Sequence, residues 1–386
     1  MSGITISSAV RANLSALQST SEMMSRVQEK LSTGRKVNSA LDNPNSFFTA
    51  KGLENRSSDL GTLLDDMGQT VQTLKAADKG ITSISGLVDA AKAKANQAAQ
   101  TSSQTQRAQY AKEFNELMSQ IESVAKDSGY KGKNLLGGTG NDLKVTFNEN
   151  GSSKLDISAV NFTDTTSSTG LNLSDLATGT SGTATITLTN GTATTALTGG
   201  SLLAADSEFA AGDVLSLTDT NGTEIGKLEI TATTTVNDLK KFLDDTSGIK
   251  AELSGGTMTV TSEFKLTMKS SSEAAGSFAD RTTNNSAESG FAKDSDIDAA
   301  LKKLKGAQDT LRAQASTFGT NLSIVQNRQD FTKAMINTLE EGAGKLTLAD
   351  TNKEGANLLA LQTQQSLAST ALSLASQADQ NVLRLF

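Results

Sequence analysis

Residues 53–98 read LENRSSDLGTLLDDMGQTVQTLKAADKGITSISGLVDAAKAKANQA. Leu53, Leu60, Met67, Leu74, Ile81, Val88 and Ala95 recur every seven residues without a slip, and Leu64, Val71, Ile84, Ala91 and Ala98 fill most of the intervening steps. Such spacing brings apolar side chains onto one side of an α-helix, and a repeat sustained this long is a coiled-coil seam. At the helical rise the segment predicts a rod about 70 Å long. A rod with one apolar stripe is stable only when the stripe is covered, so its partner must be sought in the rest of the chain.

Helical periodicity of matching length returns near the C-terminus. Ile297, Leu304, Leu311, Phe318, Val325 and Leu339 lie on one seven-residue ladder interrupted by Thr332, with Leu301, Ala315, Leu322 and Ile336 at the alternate steps. Packed antiparallel, the two rods close their stripes on each other. A shorter helix over about Gln104 to Lys126, with Phe114, Leu117, Met118, Ile121 and Val124 on one face, is placed beside them. The expected rod core is therefore Leu53, Leu60, Met67, Leu74, Ile81 and Val88 against Ile297, Leu304, Leu311, Phe318 and Val325.

Both chain ends carry weaker helical patterns. Val10, Leu17, Met24 and Leu31 repeat every seven residues with Leu14 and Val27 beside them, but the other faces are Ser, Ala, Gln and Asn. From Ala356 to Phe386 one stripe holds Leu358, Leu361, Ala368, Leu372, Ala375, Val382 and Phe386, and Leu367, Leu374, Ala378 and Leu385 form a second; Leu383 completes the apolar tip VLRLF. Helices this poor in burial are marginal alone. Two stripes on one helix ask for two partners, so the terminal helices are expected to pair with each other and with other subunits. The candidate interface residues are Val10, Leu14, Leu17, Met24, Leu31, Leu358, Leu361, Leu372, Leu374, Val382, Leu383, Leu385 and Phe386. Head-to-tail contacts of that kind lead to open helical growth.

Between the first weak helix and the long one, Asp42-Asn43-Pro44 is a turn signal, with Asn45 or Ser46 as the expected helix cap. Residues from about Thr163 to Ala287 are rich in Thr, Ser and Gly. Short alternating runs at Leu143 to Phe147, Lys154 to Val160, Thr183 to Thr189, Val214 to Leu217, Lys227 to Thr231, Thr257 to Thr261 and Lys265 to Met268 read as strands. Asn190-Gly191 and Asn221-Gly222 read as hairpin turns, and Val236 to Leu243 as a short helix. The fold class expected is mainly α, with long antiparallel coiled-coil rods from both chain ends, paired terminal helices and an inserted β-rich domain. Its expected divisions are 1–45 with 346–386, 46–160 with 290–345, and 161–289.

Composition narrows the function. The 386-residue chain has no His, no Cys and no Trp, one Pro, and only 4% aromatic residues. Without imidazole or thiolate there is no zinc site, no Ser/His triad, no cysteine nucleophile and no disulfide. No calcium-loop or phosphate-loop pattern is present, so neither cofactor nor metal nor catalytic residue is assigned and the chain is read as a non-enzyme. A formal net charge of −7 argues against nucleic acid as the main partner. No apolar run reaches the length of a membrane span, and the N-terminal MSGITISSAVRANLS lacks a basic region followed by an apolar block, so export without a cleaved signal peptide is one expected route.

Several stretches resemble one known family, the bacterial flagellins. LSTGRKVNSALDNPNSFFTA, from Leu31 to Ala50, followed by a heptad helix, is similar to the flagellin N-terminal signature; YKGKNLLGG from Tyr130 resembles the loop entering its first β-hairpin; VQNRQDF and the closing QADQNVLRLF resemble its C-terminal region. TTTVNDLKKFLDDTSGIKAELSGGTMTVTS looks like a small ββα motif found inside flagellins. The resemblance implies a homopolymeric subunit of the extracellular flagellar filament, used in swimming motility. It further implies terminal helices at the inner tube, an export apparatus, an export chaperone and a filament cap as partners, and no membrane span. Flagellins sensed by the animal Toll-like receptor are rich in Arg and Leu at the end of the first rod helix. Here Asp89 to Gln97 reads DAAKAKANQ, which implies a poor agonist.

Three other functions compete. A hook-filament junction protein of the same axial structure shares both terminal patterns, and Asp42-Asn43-Pro44 is close to the D-D-P turn common there. A metallopeptidase carried in the insertion needs histidines that the chain lacks. A coiled-coil adhesin needs a signal or anchor that the sequence does not display.

Overall fold

The computed structural model describes residues 8–191, 195–271 and 278–383. In chain order the elements are α1 (Ser8–Thr33), α2 (Pro44–Gln100), α3 (Gln104–Asp127), β1 (Leu143–Thr146), β2 (Lys154–Ile157), β3 (Gly182–Thr187), β4 (Val214–Thr218), β5 (Glu224–Glu229), α4 (Val236–Asp245), β6 (Ile249–Ser254), β7 (Thr257–Ser262), β8 (Thr267–Ser270), β9 (Arg281–Thr282), α5 (Asp294–Thr347) and α6 (Thr351–Leu383). Two compact units result: Met1–Gly68 with Val145–Leu155 and Gln326–Phe386, and Gln69–Lys144 with Asp156–Val325.

In the first unit α1 packs on α6, and Lys30 near the end of α1 lies 3.7 Å from Glu354 near the start of α6, so the two run antiparallel. The opening of α2 lies along the close of α5. Leu53 faces Gly342, the Ser57 hydroxyl donates to Glu340 Oε1 at 3.3 Å, and Gly68 faces Gln329. Each step forward on α2 is thus a step back on α5, which makes this stretch of the rods antiparallel. Leu60, Met67, Leu339 and Ala343 are buried, as is Thr332. The ladder therefore passes through the threonine instead of breaking there.

The second unit holds the rest of the rods and the β-rich insertion. The expected apolar positions from Val71 to Ala98 on α2 and Ile297, Leu304, Leu311, Phe318 and Val325 on α5 supply its helical core, together with Phe114, Met118 and Ile121 of α3, while Leu301, Ala315 and Leu322 are half-buried. Lys94 pairs with Glu113 at 2.7 Å, and Gly80 lies against Ser128, so α3 runs antiparallel to α2. Asn134 closes α3 by donating to the carbonyls of Ala125 and Lys126 at 2.8 and 3.1 Å, while Leu135 and Leu136 beside it are fully buried. That is what the KNLLGG run does structurally.

The insertion contains two antiparallel sheets, ordered β3-β7-β6 and β5-β4-β8-β9. Alternation decides which side is buried: Met258 and Val260 of β7 and Leu215 and Leu217 of β4 join Val236, Leu239 and Leu243 of α4 in one apolar cluster. The helix α4 opens with a reciprocal capping box between Thr235 and Asp238.

Several local expectations need correction. The cap of α2 is Asn43, whose Oδ1 accepts the Ser46 N–H at 3.1 Å, with Pro44 as the first helical residue. Proline has no N–H to leave unsatisfied there and its φ is already helical, so the cap falls two residues earlier than Asn45. Strand β6 is missing from the alternating runs, because KAELS alternates weakly, although the stretch of the ββα resemblance contains it. Gly255 and Gly256, both at positive φ, form the two-residue turn that folds it onto β7. Asn221-Gly222 does join β4 to β5, and beside Asn190-Gly191 the flanks pair antiparallel, with Asn190 N–H donating to Thr195 O at 2.9 Å and Leu197 N–H to Leu188 O at 3.0 Å; residues 192–194 between them lie outside the described residues.

Candidate assembly surface

Apolar side chains that the chain itself leaves uncovered are candidates for the core of a surface that recruits other subunits. Among the described residues these gather in the first unit: Leu14, Met23, Leu41, Phe48, Phe331, Leu348, Leu359, Leu367 and Leu374, against Leu202 and Ile324 in the second. The contrast follows from how each unit closes. The second stacks α2, α3 and α5 around large residues, whereas α1 and α6 meet through one narrow seam.

Along that seam Val10, Leu17, Met24 and Leu31 of α1 are half-buried, and among the described side chains only Thr20 and Val27 are fully so. On α6, Leu358, Leu361, Ala368, Leu372 and Ala375 are half-buried, and none of its described side chains is buried outright. Its second stripe is open: Leu367 and Leu374 are about two-thirds exposed, joined by Leu359, which the sequence reading did not single out. Leu14 of α1 is exposed as well. The side chains of Val382 and Leu383, and the whole of Leu385 and Phe386, lie outside the described residues. Of the expected rod core, Leu53 is half-buried and Leu60, Met67, Leu74, Ile81, Val88, Ile297, Leu304, Leu311, Phe318 and Val325 are buried.

Between the helices of the first unit the connecting segments form a clasp. Arg35 and Leu348 make an antiparallel bridge, Lys36 N–H and Val37 N–H donate to Thr347 O, and Ala349 N–H donates to Gly34 O. The Lys36 ammonium adds a 2.6 Å bond to Lys345 O. Next in the chain, Asp42 accepts from the N–H groups of Asn38 and Ser39, each at 2.9 Å, and from the Ser39 hydroxyl. The N–H groups of Ser39 and Asn38 hold its carboxyl below the usual aspartate value. The sequence marks a turn at Asp42-Asn43-Pro44, but apolar periodicity cannot reveal that one carboxylate builds it.

The chemistry available is burial and pairing. Among the described residues no group of three or more His, Cys, Asp or Glu is placed to hold a metal, and no helix is long and apolar enough to cross a membrane.

The pattern of the bacterial flagellin N-terminal helical region matches residues 5–141, and that of the bacterial flagellin C-terminal helical region matches residues 301–386. The chain belongs to the bacterial flagellin family. Its similarity extends through the insertion: it is 27% identical to Flagellin A of Rhizobium meliloti over the whole of both chains. It is 22% identical to a flagellin of Brucella melitensis biotype 1 over 100% of this chain and 99% of that one. The solved structure of FlgL from Xanthomonas campestris covers 80% of this chain and 99% of its own at 13% identity, with a TM-score of 0.25, too low to bear on the argument. As a flagellin, this protein is a structural subunit of the extracellular filament of the bacterial flagellum. Both matched regions hold the helices described above; the β-rich insertion lies between them.

Proposed function

We propose that this flagellin polymerises through its first unit, with residues 1–45 and 346–386 packing at the filament core. In this reading residues 46–160 and 290–345 form the surrounding rod layer, 161–289 face outward, and the filament serves swimming. The observation that carries it is the helix α6, which has no buried side chain among those described and an apolar stripe on the side away from α1. Ordering a backbone costs about 1–2 kcal/mol per residue, which half-burial on one face does not offset, so neighbouring subunits must supply the remainder. The terminal contacts Val10, Leu14, Leu17, Met24, Leu31, Leu358, Leu361, Leu372, Leu374, Val382, Leu383, Leu385 and Phe386 carry that role.

The chain has no catalytic activity in this proposal; the absence of His and Cys from its sequence supports it. It leaves the cell without a cleaved signal peptide, and an export apparatus, an export chaperone and a filament cap are its partners on the way. The test is seeded growth. Purified chain added to sheared filament ends should elongate them to micrometre length. Growth that stops at a ring would instead identify a hook-filament junction protein, and no growth would refute the proposal.

A further inference from the structure

Three Asn-Gly pairs occur in the chain: Asn150-Gly151, Asn190-Gly191 and Asn221-Gly222. Such a pair can modify itself, because a glycine has no Cβ to keep its backbone nitrogen from the amide carbon of the asparagine before it. Whether it does so in a folded protein depends on how the pair is held. Asn150 and Asn221 make a matched comparison, since both pairs sit in exposed turns and are followed by a hydroxyl residue, Ser152 or Thr223.

The two nucleophiles start level. Gly151 N–H donates to Asn148 O at 3.1 Å and Gly222 N–H to Asp219 O at 3.0 Å. The two amides do not. Asn150 Oδ1 accepts the Ser152 N–H at 3.0 Å, which folds the side chain forward across Gly151. The same N–H draws electron density from the amide carbon and stabilises the oxyanion that attack would form. The Asn221 amide instead donates to Ala292 O at 3.0 Å, while Asn221 N–H is held by Asp219 Oδ1 at 2.8 Å. Asn221 must break its bond to Ala292 before its amide can turn toward Gly222.

We propose that Asn150 is a site of spontaneous deamidation in the folded chain and that the bond to Ala292 protects Asn221. Gly151 gives its N–H proton to solvent base, the bond from its nitrogen to Asn150 Cγ forms, and the Cγ–Nδ2 bond breaks to release ammonia. Water then opens the succinimide ring. Opening at Cγ gives aspartate, and opening at the backbone carbonyl gives isoaspartate, whose main chain is one atom longer. Either product adds a negative charge next to Glu149, which pairs with Arg56 at 2.5 Å. The inference is independent of the homopolymer reading.

The test follows both sites in the full chain, folded and in concentrated urea, in mild alkali made with heavy-oxygen water so that each conversion is labelled. Tandem mass spectrometry of a digest then gives the rates. In the folded chain Asn150 should convert at least about tenfold faster than Asn221, the effect of one hydrogen bond kept on the protected side and one activating bond on the other. In urea the two rates should converge. Gly151→Ala should slow Asn150 by about tenfold or more and leave Asn221 unchanged; the added Cβ obstructs the attack yet meets nothing else within 4 Å. Equal rates in the folded chain, a faster Asn221, no conversion at Asn150, or a ratio that persists in urea would overturn the proposal.

Discussion

Two glycines six residues apart on α2 should respond in opposite directions to the same substitution. At Gly80 a Cβ would stand 2.1 Å from Ser128 Oγ, 2.7 Å from Ser128 Cβ and 2.8 Å from Leu136 Cδ1. Neither neighbour is free to give way. The Ser128 hydroxyl donates to Val124 O at 2.6 Å and its N–H to Ala125 O, so it closes the end of α3, and Leu136 is fully buried. At Gly86 the same Cβ meets nothing within 4 Å, and the residue is exposed.

Alanine in mid-helix is worth about 1 kcal/mol over glycine. Gly86→Ala should collect that gain, raising the melting temperature by about 2–4 °C for a unit of this size. Gly80→Ala has the same gain set against overpacking that costs about 1–3 kcal/mol in a filled core and more where the clashing atom cannot move. With contacts this short the cost wins, and a net loss of about 1–2 kcal/mol, or roughly 2–8 °C, is expected. Thermal melts of the two variants beside the parent chain, under conditions that keep it monomeric, decide the matter. A Gly80→Ala chain as stable as the parent would refute the close packing of α2, α3 and the Leu135-Leu136 segment described above.

Two other predictions concern polar contacts of the second unit. Arg107, 5% exposed, donates to Thr101 O at 2.8 Å and Ala292 O at 3.0 Å and pairs with Asp294 at 2.7 Å, so Arg107→Ala should cost about 2–3 kcal/mol in urea unfolding, less than an all-buried pair because Asp294 is largely exposed. A loss within experimental error would show that the three bonds bring no net stability. The Lys94–Glu113 pair should add a small pH-dependent increment: the Lys94 bond holds Glu113 below the usual glutamate value and the Glu113 bond holds Lys94 above the usual lysine value. Glu113's share is present above its unfolded pKa and lost as pH falls through the lower folded one, and Lys94's is present below its unfolded pKa and lost as pH rises through the higher folded one. Melting of Glu113→Gln against parent should therefore differ by well under 1 kcal/mol near neutrality, since the pair is a third exposed, and converge in acid; a difference that grows as pH falls would contradict the assignment.

What was legible in the sequence was what has a period. Seven-residue spacing located both rods because every turn of a long helix repeats the same burial, and the signal survives Thr332 or a half-buried Leu53. The apolar positions of the terminal helices were legible for the same reason, down to the second stripe that holds Leu367 and Leu374. Features set by a single contact were not. The Asn43 cap depends on which of several adjacent residues turns its side chain back, β6 depends on the Gly255-Gly256 turn, and the exposure of Leu41 depends on where one carboxylate anchors a loop. No periodicity reports on those, and Leu359 escaped because it falls off both stripes of its helix.

The two units divide stability in a way that suits assembly. In the second, the apolar stripe of α2 finds α3 and α5 within the same chain, so its folding needs no other molecule. In the first, the rod ends are closed but α1 and α6 meet mostly through half-buried side chains, and large apolar groups are left exposed. Binding that covers only the ordered state stabilises it in proportion to the logarithm of subunit concentration. Order in the terminal pair should therefore be a property of the polymer, tightening where subunits are crowded at a growing end and loosening in dilute monomer. A chain that completed its terminal helices internally would lose that dependence.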